Sequence, residues 1–369
     1  MAHASARAHF SLVAILPLHG HDAIRARLGA LVAQNRLPAS LLFSGPRGVG
    51  KQRLALWLGQ LLLCTGAEPR PCDACNACRF ARALTHPDLH WYFPRARLKD
   101  SDAAPADAVE DYADGVAERA EAGGVYAAPS GSDALYVVTV RAIVQQAAIA
   151  PAMGRRKIFV IGDAERMVPQ EGSEQAANAF LKLLEEPPAD TTIVLTSSEP
   201  GALLPTVLSR VVSLRVPPLP DEAVRRVLEE PAFAAALAKG DVPTTVPERV
   251  RVAEGAPGTL LGSEGRAAAR ETARRMLESA REGREQRFRQ AFAQGSAGAR
   301  GSFADTLDAL VQLLREQARA AAVRGDERAA VGASRAVDHV EQAKQLADKN
   351  VSPNLVAAGL LRDIAEALA

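Results

Sequence analysis

The chain has 369 residues, more than one hydrophobic core usually organises, so two or three domains are expected. Its 44 lysines and arginines stand against 43 aspartates and glutamates, which excludes a polycation that grips nucleic acid unaided. The longest apolar run, 54–63, is shorter than the roughly 20 residues that span a bilayer, so we expect no membrane segment and a cytoplasmic protein.

Predicted strands and helices alternate up to residue 217. A helix over 21–34 precedes a strand over 40–44, a glycine-rich loop over 45–50 and a helix that begins at Lys51. Further strands are predicted over 136–140, 157–161, 192–196 and 211–216, with helices over 141–149 and 173–186. This alternation predicts an α/β domain in which helices cover both faces of a parallel sheet.

The remaining segments differ from this pattern in composition. Residues 95–133 are rich in Ala, Asp, Glu and Gly, which predicts an exposed, partly disordered insertion with a helical middle. Strand signals nearly vanish after 217, so 218–262 is predicted to be a small helical domain. Residues 263–369 are rich in Ala, Arg, Glu and Leu and predict an α-helical C-terminal domain, with breaks near 295–301 and 352–353.

The glycine-rich loop has most of the residues of a phosphate-binding loop. The matching positions are Gly45, Gly48, Gly50 and Lys51. Gln52 stands where a serine or threonine hydroxyl would hold Mg²⁺, and an amide on a longer arm is a poor substitute. The sequence therefore keeps a phosphate cradle and compromises magnesium placement, which leaves passive ATP binding open.

The second element of a nucleotide site is an apolar strand that ends in an acidic residue. Here the strand 157–161 is followed by Gly162 and Asp163, with Ala164 next. In one register Gly162 takes the metal-orienting position; in the other Asp163 takes it and Ala164 takes the water-positioning one. Either register lacks an essential carboxylate, so we expect no ATP hydrolysis by this chain.

The cysteines form a local group. They are Cys64, Cys72, Cys75 and Cys78, with spacing Cys-x7-Cys-x2-Cys-x2-Cys. Four thiolates complete a tetrahedral zinc site with no position open for water, so a structural Zn²⁺ module over 64–78 is predicted. Unligated buried thiols are the alternative.

Three stretches of the sequence carry a resemblance to a known family. They are Leu42 to Lys51 (LFSGPRGVGK), Ala177 to Pro188 (ANAFLKLLEEPP) and Leu204 to Arg210 (LPTVLSR). Through them the chain resembles the clamp-loader subunits of bacterial DNA polymerase III, which are of the AAA+ class. The similarity covers most of 17–217 and extends more weakly to the tail around 350–355. It implies a RecA-like domain (1–217), a helical lid (218–262) and a helical collar (263–369) that assembles a hetero-oligomeric ring.

Two types of subunit share this pattern: the ATP-hydrolysing gamma or tau motor and the non-hydrolysing delta-prime. The departures at Gln52 and Gly162 favour the delta-prime type. An arginine that the motor carries near Gly258 is also missing, and the chain ends before the long tail of tau. An active gamma/tau-type ATPase is the first alternative.

A Ser-Arg-Cys motif in this family presents an arginine to ATP on a neighbouring subunit. This sequence has Ser209 and Arg210 followed by Val211, so the resemblance implies an arginine finger at Arg210 that acts in trans. The implied partners are gamma/tau and delta subunits, with the sliding clamp and primer-template DNA contacted through the complex. A zinc-stabilised scaffold without a role in ATP turnover is the second alternative.

Overall fold

The computed structural model describes residues 14–98, 103–127, 129, 133–167, 174–238, 240, 242–293, 300–348 and 352–368. These residues form two compact units: the larger ends at Leu261, and the smaller comprises the chain from Gly262 onward together with Pro129. In the part of the chain that is described, no helix combines the length and apolar character needed to cross a membrane.

A five-stranded parallel sheet is the centre of the larger unit. Its strands are β1 (Ser40–Ser44), β2 (Leu89–Tyr92), β3 (Lys157–Ile161), β4 (Thr191–Ser197) and β5 (Val212–Arg215). Their order is β2-β3-β4-β1-β5, and each neighbouring pair is parallel. Every residue of β3 and β4 is buried, as expected for strands covered on both faces. The predicted α/β class with a parallel sheet is confirmed.

Helices surround this sheet and continue beyond it. They are α1 (Asp22–Ala33), α2 (Lys51–Leu63), α3 (Asn76–Arg82), α4 (Pro105–Glu121), α5 (Val137–Ala148), α6 (Glu174–Glu185), α7 (Pro205–Leu208), α8 (Asp221–Glu229), α9 (Pro231–Leu237) and α10 (Val246–Ala253). Almost all of α2 is buried, because it runs from the glycine loop across the sheet. From α8 onward a separate apolar cluster forms, with Val224, Leu228, Phe233 and Leu237 in its core.

One predicted strand is wrong and one strand was not predicted. The β-branched run at 136–140 was expected to be a strand, but Val137 begins α5 instead. Val140, Ile143 and Ala147 are buried on one face of this helix, so tertiary packing outweighs the strand preference of the valines. The missed strand β2 has only four residues, too few to show a period in the sequence.

The segment 95–133 contains helix α4 in its middle. Its Ala108, Tyr112 and Gly115 are buried, and the Tyr112 hydroxyl donates a hydrogen bond to Phe93 O at 2.6 Å. One face of the helix therefore packs against the domain, contrary to the expected exposure of the whole segment. The predicted disorder falls in part on 99–102, 128 and 130–132, which lie outside the described residues.

The smaller unit is helical. Its helices are α11 (Ser263–Arg281), α12 (Arg284–Phe292), α13 (Arg300–Val323), α14 (Glu327–Asp348) and α15 (Pro353–Leu368). Met276, Phe303, Leu314, Val340 and Leu361 lie in its apolar core. The predicted helical C-terminal region is confirmed. The expected break at 352–353 coincides with the first residue of α15, whereas 294–299 lie outside the described residues.

Candidate nucleotide loop, cysteine cluster and arginine turn

The glycine loop lies where β1 ends and α2 begins, as the sequence predicted. Gly48 and Gly50 have φ angles of 81° and 94°, in the left-handed region that glycine adopts without strain. Gly48 also lies close to another backbone, because a Cβ added to it would be 2.6 Å from Thr259 N. The backbone at Gly48 and Gly50 therefore favours glycine over any residue with a side chain.

The Lys51 ammonium is occupied by its own chain. Its Nζ donates to Gly45 O, Pro46 O and Ser198 Oγ, each at 2.9 Å. The residue is only 6% exposed, and burial lowers the pKa of the amine. These contacts use all three donors of an ammonium group, which would have to be released before Lys51 could bind a phosphate.

The two departures at Gln52 and Gly162 turn out to be one structural feature. Gln52 Nε2 donates to Asp163 Oδ2 at 3.0 Å, and Gln52 Oε1 accepts from Trp91 Nε1 at 2.9 Å. A Cβ atom added to Gly162 would lie 2.4 Å from Gln52 Cδ. The Gln52 amide thus fills the volume that a carboxylate at position 162 would need, and it is held there by hydrogen bonds on both sides.

The turn over Pro257–Leu260 lies directly on the glycine loop. Gly258 N donates to Gly48 O at 3.0 Å, and a Cβ added to Gly258 would lie 2.9 Å from Gly48 Cα. An added Cβ at Gly48 would in turn lie 2.6 Å from Thr259 N. Two backbones therefore touch where the motor type would carry an arginine, and this arrangement leaves no space for a side chain at 258.

Carboxylates remain near the loop. Glu165 Oε1 accepts from Ser198 N at 2.9 Å, and among the described residues Glu165 Oε2 has no hydrogen-bond partner. Burial, and next the neighbouring Asp163, raise the pKa of Glu165. An acid with this environment is poorly suited to remain ionised beside the loop.

Helix α4 supplies a cation that supports the same region. The Arg119 guanidinium lies 3.2 Å from the ring centroid of Phe93, 3.8 Å from that of Tyr126 and 4.6 Å from that of Trp91. Burial lowers the pKa of Arg119 to about 10. Since Trp91 also donates to Gln52, the segment predicted to be an exposed insertion packs behind the Gln52 hydrogen bonds. The sequence did not indicate this contact, because the acidic residues of α4 predict an exposed helix.

The sulfur atoms of the cysteine group converge on one point. Cys64 follows α2, Cys75 precedes α3, and the four Sγ atoms lie within 4.8 Å of one another. Backbone N–H groups of Cys72, Cys75 and Cys78 donate to the sulfurs of Cys64, Cys72 and Cys75, each at 3.4 Å. An all-thiol set of four fits a tetrahedral metal site, so these residues are close enough to hold one metal ion.

The ionisation of these thiols is uneven. Burial acts to raise the pKa of Cys75, but N–H donors from Cys78 and Thr65 outweigh it and lower that pKa to about 5. Burial raises the pKa of Cys64 and Cys78. The hydrogen bonds to sulfur are of the kind that stabilises thiolate ligands in metal sites.

Arg210 lies in the turn between α7 and β5. Its Nε donates to Glu185 Oε2 at 3.0 Å, and its Nη1 donates to Thr206 O at 3.0 Å and to Ser209 Oγ at 3.3 Å. Ser209 Oγ itself donates to Thr206 O at 3.1 Å. The predicted pair of Ser209 and Arg210 is therefore brought together with Glu185, a partner that the sequence did not indicate.

The register of the sheet separates Arg210 from the glycine loop. Leu41 in β1 is opposite Val212 in β5, so Arg210 precedes its strand at the amino edge, whereas the loop follows β1 at the carboxyl edge. At about 3.3 Å per residue the two lie roughly 15–20 Å apart along the strands. An arginine side chain does not reach that far, so Arg210 cannot serve the loop of its own chain. Leu204 and Val212 beside it are each 53% exposed.

Comparisons with known proteins identify similar subunits of DNA polymerase III. The family model described as DNA polymerase III, delta subunit, matches residues 20–220. The chain is 34% identical over 200 residues to DNA polymerase III subunit delta' of Pseudomonas aeruginosa, which covers 52% of this chain and 49% of that protein. It is 27% identical over 200 residues to the Bacillus subtilis subunit delta', covering 54% and 48%.

A second kind of relative also matches the chain. The chain is 29% identical over 211 residues to DNA polymerase III subunit tau of Salmonella typhimurium, covering 57% of this chain and 26% of that protein. The chain spans about half the length of the delta' relatives it matches.

Proposed function

The chain belongs to the DNA polymerase III delta subunit family, and from this premise we propose that it is a delta-prime-type clamp-loader subunit. In this role it supports ATP-dependent loading of a sliding clamp onto primed DNA without hydrolysing ATP itself. Its partners are gamma/tau and delta subunits in a hetero-oligomeric ring, and clamp and DNA are contacted through that complex. The larger unit acts as the RecA-like AAA+ domain with its lid, and the smaller unit as the collar.

The pairing of Gln52 with Gly162 is the observation that carries this proposal. A motor needs a hydroxyl at the first position and a carboxylate at the second to place Mg²⁺. Here the Gln52 side chain occupies the volume beside Gly162 and is hydrogen-bonded to Trp91 and Asp163. Restoring the motor chemistry would require two simultaneous changes, which argues against the active gamma/tau-type alternative.

The lid supports the same conclusion. In a motor, the lid reports on bound nucleotide by moving relative to the loop. In this chain Gly258 N donates to Gly48 O, and all three Lys51 donors are used by Gly45 O, Pro46 O and Ser198 Oγ. Passive ATP binding would have to break all of these contacts, so we expect it to be weak.

Arg210 is proposed to act on ATP held by an adjacent subunit. Its guanidinium lies at the edge of the sheet opposite the loop, on a turn flanked by exposed Leu204 and Val212. A positioned guanidinium stabilises the negative charge that spreads over the phosphate oxygens in phosphoryl transfer. Ser209 contributes by accepting from Arg210 Nη1, which limits the rotation of the side chain.

The scaffold alternative predicts that Arg210 is a structural charge. Its ion pair with Glu185 is the observation that favours this reading. The two readings differ in what happens to catalysis in the assembled complex when Arg210 is removed, because the pair with Glu185 exists in the isolated chain.

The cysteine group is proposed to be a structural zinc site. Cys64, Cys72, Cys75 and Cys78 would hold the ion, which when bound would have no coordination position left for water. By joining the end of α2 to the start of α3, the site would fix the helix that begins at Lys51.

The test is to reconstitute the loader with Arg210→Ala, Arg210→Lys and Lys51→Ala variants and to measure ATPase activity stimulated by clamp and DNA. A finger of this kind contributes on the order of 10³-fold at its own site, and less in a ring that has several sites. We expect a marked loss with alanine and a partial recovery with lysine, which lacks the planar fork. Lys51→Ala should leave the activity unchanged.

Three results would count against the proposal. Turnover by the isolated chain that Lys51→Ala abolishes would identify a motor. A loader that assembles normally with Arg210→Ala and hydrolyses ATP at the unmodified rate would identify a scaffold. Loss of ring assembly with Arg210→Ala would place the residue in assembly, not in catalysis.

A further inference from the structure

We propose that Glu185 is a positioning residue for Arg210, holding the guanidinium so that one edge is presented to the phosphate of a neighbouring subunit. The inference rests on the proposed role of Arg210 in trans and adds to it a residue on a different element. Glu185 would act through the arginine and would not contact the nucleotide.

The hydrogen bonds of Arg210 leave a single nitrogen for an outside partner. Nε is bound to Glu185 Oε2 and Nη1 to Thr206 O and Ser209 Oγ. Among the residues that the structure describes, none accepts a hydrogen bond from Nη2. Because the guanidinium is planar, fixing Nε and Nη1 also fixes the direction of the Nη2 donors.

Both ends of this arrangement are anchored. Glu185 is the last residue of α6, whose Phe180 and Leu184 are 1% and 2% exposed. Arg210 follows α7, where Val207 is buried and its carbonyl accepts from Arg210 N at 3.0 Å. The ion pair therefore joins two packed elements across a gap of 25 residues in sequence.

Positioning matters here because a free arginine would lose much rotamer freedom on meeting its target. Long side chains such as arginine have the largest conformational entropy to lose when they are immobilised. Side chains that are held in advance reduce that cost at the moment of binding. Glu185 is 56% exposed, so solvent screens its charge and the effect of the pair should be modest.

The Glu185 carboxylate could also lower the activity of the loader instead of supporting it. A carboxylate next to the guanidinium offsets part of its positive charge and could compete with a phosphate for the same donors. In that case removing Glu185 would raise the activity of the loader. The direction of the change therefore decides between positioning and competition.

The chain supplies a matched control in the adjacent Glu186, which is exposed and forms no ion pair with any described residue. The experiment compares Glu185→Ala, Glu185→Gln and Glu186→Ala in the assembled loader, with Arg210→Ala and the Arg210→Ala/Glu185→Ala double variant. Clamp- and DNA-stimulated kcat and the KM for ATP are measured, together with ring assembly and melting temperature.

We expect Glu185→Ala to lower kcat about two- to fivefold with KM unchanged, as the strength of an exposed pair implies. Glu185→Gln keeps an oxygen that accepts from Nε and should lose less. The double variant should match Arg210→Ala alone, since Glu185 acts only through the arginine. Glu186→Ala should behave as the unmodified protein does.

Failure of this inference and failure of the proposed function are distinguishable. If Arg210→Ala impairs the loader while Glu185→Ala equals Glu186→Ala, or raises kcat, Glu185 does not position the arginine and the finger proposal stands. If Arg210→Ala has no effect, both proposals fall. If the double variant is clearly worse than Arg210→Ala, Glu185 has a role that does not pass through Arg210.

Discussion

The glycine loop and the arginine turn lie at opposite edges of the same sheet, and they differ in where their polar groups point. At the loop, Lys51 and Gln52 are 6% and 5% exposed and bind groups of their own chain. At the turn, Arg210 retains a donor nitrogen without a partner among the described residues and lies between exposed apolar side chains. We call the edge of the sheet that carries Lys51 and Gln52 the closed edge, because these side chains bind their own chain. We call the edge that carries Arg210 the open edge.

Under the proposed function, this difference corresponds to a fold that no longer uses its own nucleotide loop and keeps an arginine for the site of another subunit. Among the described residues, no hydrogen bond joins the side chains of Gln52 or Asp163 to that of Arg210, so changes at Gln52 and Gly162 need not disturb Arg210. A subunit of this type is best understood from both edges together. A defective loop alone would not distinguish it from an inert scaffold.

Gly162→Asp, which places a side chain against Gln52, should lower the stability more than the other variants proposed below. The new Cβ would lie 2.4 Å from Gln52 Cδ, and the carboxylate would be buried beside Asp163. Overpacking and an unpaired buried charge together should lower the free energy of unfolding by about 3 kcal/mol or more. Urea unfolding of the purified chain measures this loss.

Two further variants decide whether the Gln52 amide is the cause. Adding Gln52→Ser to Gly162→Asp frees the volume and should recover part of the stability, although Trp91 then loses its acceptor. Gly201→Asp, at a glycine with open space around its Cβ, should change the stability by less than ~0.5 kcal/mol. Equal losses at Gly162 and Gly201 would mean that the closed edge is not tightly filled.

The parts of the fold predicted correctly from sequence are those in which local pattern and packing agree. The β-branched apolar runs at 157–161 and 192–196 are buried on both faces, and their apolar composition follows from this burial. The glycine loop was predictable because φ angles such as those of Gly48 and Gly50 restrict the residue type. The convergence of the cysteines followed from their spacing.

What the sequence could not provide are contacts that depend on the order of the strands. Gln52 meets Asp163 across 111 residues because the end of β3 lies near the start of α2, and nothing local announces it. The aromatic rings that contact Arg119 include Trp91, which lies in β2, and that strand is too short to be predicted. Glu185 was visible as part of a helix end, but its pairing with Arg210 appears only when α6 and α7 pack together.

Removing the proposed metal tests whether the closed edge depends on the cysteine group while the open edge does not. Cys75→Ser should reduce zinc content from about one ion per chain and lower the free energy of unfolding by ~1–3 kcal/mol. Hydrogen exchange should quicken in α2 and α3 and stay the same in α7, because the site joins only the first two. Elemental analysis and exchange mass spectrometry measure both effects.

The exposed neighbour Asn76 provides the control for this variant. Asn76→Ser should keep the zinc and the exchange pattern of the unmodified chain. Protein that contains no metal and melts identically with and without Cys75→Ser would refute the site. Faster exchange in α7 would show that the two edges are coupled, against the separation argued above.

The smallest expected effect concerns Glu165, the carboxylate retained beside the closed loop. Burial and Asp163 raise its pKa above the ordinary value of 4.5, so the ionised form is disfavoured in the folded chain. The stability it contributes is therefore fully present below that ordinary value and is lost as the pH rises through the raised, folded-state pKa. Glu165→Gln keeps an oxygen to accept from Ser198 N and removes the charge, so it should escape this loss.

The variant should be more stable than the unmodified chain at neutral pH by about 1 kcal/mol or less, and the advantage should shrink as the pH falls toward 4.5. Urea unfolding across this pH range gives the difference directly. Glu199→Gln, at an exposed carboxylate on the loop after β4, is the matched control for replacing a glutamate by glutamine. An advantage that grows toward acid pH, or a Glu165→Gln variant that is less stable at neutral pH, would contradict this expectation. Either result would mean that Lys51 compensates the Glu165 charge in the folded chain.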